Sequence, residues 1–179
     1  MASRGIRAAR FGVAATVAAT TLLGAQPAAA DPDDPPAGCF HGLVICISQD
    51  TDTLRLVDDG AVLIRMAVRF GAQRTPTRVG TFRIEWKDKD HVSKEFGSPM
   101  PFSMFFDGGQ AIHYSEDFAA RGYRGASHGC VNTRDYDATK QLFESVKDGT
   151  RVIIYTTEPP KDVVTSDSQP SGPDDPADY

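Results

Sequence analysis

The chain holds 179 residues, with 19 Lys and Arg against 24 Asp and Glu, a formal net charge of -5 and 40% hydrophobic residues. That length suits one ordinary domain, and the apolar content is enough for a core. The acidity argues against a nucleic-acid binder, which is usually basic in patches, and against attraction to anionic lipid.

Residues 1–30 read as a secretory signal peptide. Arg4, Arg7 and Arg10 precede an apolar run over 13–25, and Ala28-Ala29-Ala30 offers a small-residue cleavage pattern before Asp31. The run is shorter than the roughly 20 residues a spanning helix needs, so no membrane span is expected after cleavage. Residues 31–37 form an acidic leader, and 159–179 form a tail rich in Pro, Ser and Asp. Neither has the apolar periodicity to offset its ordering entropy, so both are expected to be flexible. The folded unit is 38–158. The acids concentrate in the leader and tail, which leaves that unit close to neutral. No repeat and no second module is visible.

Within the unit, 44–48, 53–57 and 61–70 are rich in Val, Ile and Leu and read as strands. Asp58-Asp59-Gly60 is a hairpin signal between the last two. A further strand is expected over 79–86, after Thr75-Pro76-Thr77, where Pro opposes a helix. Strands over 101–106, 110–113 and 151–156 complete the β material. One helix is expected over 134–147, from the stripe made by Leu142, Phe143 and Val146 with Tyr136 and Thr139. Thr133 is its expected cap, Asp135 favours its first turn, and Gly149 is its expected end. The fold class is therefore mainly β, a sandwich or barrel-like set of sheets with one helix packed on it.

Three cysteines in an exported chain suggest one disulfide and one thiol. Cys39 and Cys46, seven apart, are the favoured pair. The competing assignment puts Cys130 in the bridge and leaves an N-terminal Cys free. Cys130 stands in Ser127-His128-Gly129-Cys130-Val131-Asn132, with His113 upstream. A thiol nucleophile needs a base such as imidazole and donors for an oxyanion. The amides near Gly129 and Cys130 suit the second need, and the helix start beyond them is expected to lower the thiol pKa. An inert core Cys is the bland alternative. Zinc held by His113, His128 and Cys130 is a weaker one, because no paired short ligand spacing supports it.

The same residues resemble the L,D-transpeptidase catalytic domain of the YkuD type. Its signature is a His followed, after an interval, by Ser/Thr-His-Gly-Cys-hydrophobic-Asn/Arg, and His113 with 127–132 fills every position. Thr75-Pro-Thr-Arg-Val-Gly-Thr-Phe82, Met100-Pro-Phe-Ser-Met-Phe-Phe106 with Ala111-Ile-His113, and Asp148-Gly-Thr-Arg-Val-Ile-Ile-Tyr155 resemble its supporting segments. The likeness runs over about 44–155. Thirteen residues separate His113 from Ser127, slightly fewer than the family usually has, and Tyr114 stands where Ser or Gly is frequent.

The resemblance implies a YkuD-like fold and a secreted or wall-located cysteine acyltransferase without cofactor or metal. Cys130 would attack a peptidoglycan tetrapeptide stem and release D-Ala. His113 would be the base, oriented by the Tyr114 carbonyl. His128, Gly129 and Asn132 would shape the oxyanion hole and turn, with Ser127 in support. An amine of another stem would then receive the acyl group in a 3→3 cross-link. Carbapenem-type β-lactams would acylate the same thiol. Arg121, Tyr123 and Arg124 are candidates for stem carboxylates, with plain solvation as the bland reading. Hydrolysis by a water acceptor and a silent wall-binding module are the alternatives. The expected partner is the stem peptide, not nucleic acid, and the expected state is a monomer.

Overall fold

The computed structural model describes residues 35–157. The expected signal peptide, the tail and most of the acidic leader lie outside these residues. Strands β1 (Leu43–Ser48), β2 (Thr53–Asp58) and β3 (Ala61–Arg69) form an antiparallel meander. The β2–β3 turn places Asp59 and Gly60 at φ of 45° and 87°. Positive φ at both positions matches the right-handed twist of the strands it joins.

Next come β4 (Gly80–Arg83), β5 (Trp86–Val92), β6 (Pro99–Asp107) and β7 (Gln110–Tyr114). A short helix α1 (Glu116–Arg121) leads toward β8 (Val131–Thr133). Helix α2 (Tyr136–Ser145) and β9 (Arg151–Tyr155) end the described unit. The strands join in the order β4-β9-β1-β2-β3-β8-β7-β6-β5. The β1–β9 and β7–β8 pairs are parallel, and the other pairs are antiparallel.

The sheet curls until its ends approach. The rings of Phe82 on β4 and Phe106 on β6 lie 5.3 Å apart, and Glu85 N–H donates to Phe105 O at 2.7 Å. Alternate residues fill the inside of the curl: Ile45 and Ile47, Leu54 and Leu56, Ile64 to Val68, Met104 and Phe106, Ile112, Val131, and Val152 with Ile154. Leu142 and Val146 close this core from the α2 side. On the outer face Val44, Cys46, Val57 and Ile153 pack beneath Cys39 of a 3-10 turn (Ala37–Phe40), whose Cys39–Cys46 disulfide spans 6.0 Å between Cα atoms. Strand β1 is thus buried on both faces, which is why it reads as a continuous apolar run.

The architecture is the β-rich one the sequence predicts, with its main helix after Cys130, but several elements differ. The single strand expected over 79–86 is two strands at opposite ends of the sheet, with buried Ile84 at the crossing. Most of β5 is Lys87-Asp88-Lys89-Asp90-His91, charged and without apolar alternation, so only its backbone ladder with β6 declares it. The cap of α2 is Asp135, whose carboxylate accepts from Ala138 N at 2.9 Å. Thr133 lies instead in β8, donating to His113 O at 3.2 Å. The helix ends at Ser145, before Gly149, because Lys87 Nζ binds the Phe143 and Val146 carbonyls. Gly149, at φ 85°, serves the next turn, where its N–H donates to Ile84 O at 2.7 Å.

The Asp135→Ala variant should lose about 1 kcal/mol in urea unfolding, the usual cost of a lost N-cap. An unchanged midpoint would mean that the cap lies elsewhere.

Candidate active site

The site is built on the parallel β7–β8 pair, which sets His113 level with Asn132. His113 is 7% exposed, and its Nδ1–H donates to the Tyr114 carbonyl at 2.7 Å. That bond leaves Nε2 as the lone-pair nitrogen, and Asn132 Nδ2 donates to it at 3.1 Å. Asn132, itself 4% exposed, therefore serves the imidazole and not the turn around Gly129.

The turn carrying Cys130 is held from several sides. Ser127 bridges to Gly71, and its Oγ accepts from Gly129 N at 3.1 Å while donating to Cys130 O at 2.6 Å. A hydroxyl satisfying both bonds closes the turn locally. Buried Thr77 braces it from outside, with Oγ1 accepting from Gly71 N at 3.0 Å and donating to Gly129 O at 2.9 Å. Gly129 sits at φ 117°, and a Cβ there would lie 2.8 Å from Gln110 Nε2. The dihedral favours glycine, and a side chain there would also push the Gln110 amide aside. The Gly129 amide is committed to Ser127, which leaves the Cys130 amide as the candidate oxyanion donor.

Cys130, His113 and Asn132 line one pocket of about 880 Å³, together with Trp86, His91 and Phe96. His128 also lines it, with its ring stacked on Phe96 at 4.1 Å and 16° between planes. Phe96 stands between β5 and β6, so His128 links the Cys130 turn to that hairpin. Trp86 stacks on Phe105 at 3.8 Å, with His91 edge-on to both rings.

Arg121, Tyr123 and Arg124 are not brought to the pocket. Arg121 Nε pairs with Asp117 at 3.0 Å, Tyr123 packs edge-on against Phe118 at 5.2 Å, and Arg124 Nε donates to Arg121 O at 3.4 Å. The cause is an anchor that sequence reasoning missed. Arg69, 5% exposed, donates from Nη2 to Asp117 at 2.8 Å and from Nη1 to Gly122 O at 2.9 Å, and it sits 5.1 Å from the Phe118 ring centroid. Glu116 and Asp117, on the segment it anchors, line the pocket with it. Thr77 and Gln110 were also missed. Thr77 lies inside the 75–82 segment, whereas nothing local marks Gln110.

Burial governs the protonation of both reactive groups. It pulls His113 down to about 4, against the lesser opposing effect of the Tyr114 carbonyl bond; the field of His91 adds to the lowering. Burial also pushes the Cys130 thiol up, against a hydrogen bond from the Ala111 amide. The thiol donates to Gly109 O at 3.9 Å. The lowered thiol pKa expected from the nearby helix start is therefore overturned: β8 intervenes, and Asp135 already occupies that helix N-terminus. Burial thus favours the uncharged form of both groups. Among the described residues no three His, Cys, Asp or Glu side chains gather as metal ligands do. No helix among them is long and apolar enough to cross a membrane.

Residues 42–154 match the family model described as the L,D-transpeptidase catalytic domain. Among solved structures, an L,D-transpeptidase from Stackebrandtia nassauensis is 28% identical at TM-score 0.56, over 66% of this chain and 57% of its own. One from Xylanimonas cellulosilytica is 30% identical at TM-score 0.57, over 64% and 61%. The Ldtfm–avibactam carbamoyl enzyme is 26% identical at TM-score 0.57, over 66% and 50%. The matched region thus spans about half to three fifths of these relatives' length. No curated protein matches the chain.

The His113 imidazole should titrate at about pH 4 by NMR, below the ordinary 6.5, because burial disfavours its charged form. Alkylation of Cys130 by iodoacetamide should keep accelerating with pH beyond 9, the ordinary thiol value. A rate plateau near neutrality would reveal a preformed thiolate–imidazolium pair and refute this reading.

Proposed function

Because the chain belongs to the L,D-transpeptidase catalytic domain family, we propose that it is an exported cysteine acyltransferase of peptidoglycan, with Cys130 as nucleophile and His113 as base. The observation that carries this reading is the convergence of a braced Cys130 turn and a tautomer-fixed His113 on one pocket. The acyl donor is a tetrapeptide stem whose terminal D-Ala leaves. Export rests on the signal peptide read over 1–30, and the enzyme acts as a monomer.

The uncharged forms that burial favours define the first step. Nε2 of His113 has one lone pair, which Asn132 occupies, so proton transfer requires Asn132 to yield that position. The thiol proton then moves to Nε2 as sulfur bonds the stem carbonyl carbon, and the Cys130 amide receives the oxyanion. Collapse breaks the C–N bond to D-Ala, and the proton on Nε2 goes to the departing amine. The Nδ1–H bond to Tyr114 O holds the ring in its tautomer throughout, as the third member of a triad does. An amine of a second stem attacks the thioester carbon, giving its proton to Nε2; the C–S bond breaks, the Cys130 sulfur leaves and takes back the proton, and the 3→3 cross-link is formed. Ser127, His128 and Gly129 hold the nucleophile's turn. An avibactam carbamoyl enzyme is known for a solved relative. By extension, carbapenem-type β-lactams load Cys130 here.

Cys130→Ala should abolish turnover of a disaccharide-tetrapeptide while leaving thermal unfolding nearly unchanged. Mass spectrometry of the wild-type products should show a dimer less one D-Ala. A product pool of tripeptide alone would make water the acceptor, and activity surviving in the variant would overturn the mechanism. A carbapenem should add one covalent mass that the variant does not take up.

A further inference from the structure

On the part of the sheet away from the Cys130 pocket, β4 and β9 set Arg83 directly opposite Arg151. Residues so paired share one face of an antiparallel ladder, and like charges there repel. A conflict of this kind, left standing in a well-packed sheet, marks a place where function outweighs local stability. Both guanidinium groups are fixed by backbone carbonyls. Arg83 Nη1 donates to Gly149 O at 2.8 Å, and Arg151 Nη2 donates to Gly38 O at 3.1 Å and to His41 O. Carbonyl partners hold the side chains in place without neutralising them.

The two arginines line a surface hollow of about 370 Å³, to which His41, Lys147 and the turn at 148–150 also contribute. Asp148 is the one carboxylate lining it, and the field of Asp148 also acts on Lys87. Among the described residues no ion pair engages Arg83, Lys147 or Arg151. Three basic side chains thus line the hollow with one carboxylate, while the Asp59 carboxylate lies at its rim on the Gly42 amide, in a unit whose overall balance is near neutral. Planar guanidinium forks beside a free ammonium suit an anion with several oxygens better than a lone carboxylate. Strand β4 is an edge of the sheet, so a chain-like ligand can run past the hollow.

We propose that this hollow binds the phosphate groups of a polyol phosphate polymer and holds the domain on that polymer. It shares no lining residue with the Cys130 pocket, so binding leaves that pocket open. The proposal stands independently of the acyl-transfer reading.

Poly(glycerol phosphate) titrated into isotope-labelled protein at low ionic strength tests it, with inorganic phosphate and hyaluronate as comparison arms. Amide shifts should concentrate at 41–43, 83 and 147–151, and affinity should fall as salt rises. Arg83→Gln combined with Lys147→Gln should weaken binding about tenfold or more, since two charge-assisted contacts are lost. Arg151 is kept because its guanidinium ties the 3-10 turn to β9. Lys147→Gln alone, a change at an exposed side chain, should weaken binding a few-fold with an unchanged melting temperature. The proposal is overturned if poly(glycerol phosphate) causes no shifts at the hollow, or if the variants bind as the wild type does. Equal affinity per phosphate for inorganic phosphate would assign the hollow to the free ion. Equal affinity for hyaluronate would make it an unselective basic patch.

Discussion

The parallel pairing of β7 with β8 is the constraint on which the site depends. Parallel neighbours cannot be joined by a tight turn, so the chain must leave the sheet and return. Here it leaves through α1 and returns through the Ser127–Cys130 turn. The pairing puts Asn132 beside the His113 imidazole. It also delivers Cys130, just before β8, to the start of β7, where the Ala111 amide and the Gly109 carbonyl meet its sulfur. A slip of one residue would turn His113 to the opposite face of the sheet, because side chains alternate with period two.

Precision and protonation have separate origins in this site. The turn is held by ordinary hydrogen bonds from Ser127 and Thr77, and it contains a glycine whose positive φ would strain any larger residue. Protonation is set by burial, which favours the uncharged form of both the imidazole and the thiol. Enclosure thus disfavours the thiolate, the form in which a cysteine is reactive.

Strand β5 shows how one segment serves fold and pocket together. Its charged side chains guard the sheet edge against pairing with another chain. Lys87 reaches from it to the last carbonyls of α2, while Trp86 and His91 line the pocket. On the opposite edge, β4 carries a charge where its partner strand carries the same sign. The two edges thus present different chemistry to the surroundings, a difference that the chain's net charge conceals.

Local pattern was enough to reveal the apolar strands, the helix after Cys130, the hairpin at Asp59-Gly60 and the six-residue motif with its distant His. Each is written in neighbouring residues, through alternation, helical spacing, positive-φ glycine or a compact turn. Other features had no local trace. The split of 79–86 into two edge strands, the carbonyl capping by Lys87, the anchoring of 115–122 by Arg69 and the contact of Asn132 with His113 all join residues far apart in the chain. The protonation of Cys130 and His113 belongs with these, because it depends on how much water the folded sheet excludes. Sequence by itself determined most of the apolar strands, the main helix and the motif that joins Cys130 to a distant His113. Tertiary structure alone decided their partners and charge states, because hydrogen-bond pairing and desolvation act between side chains that only the curl of the sheet brings together.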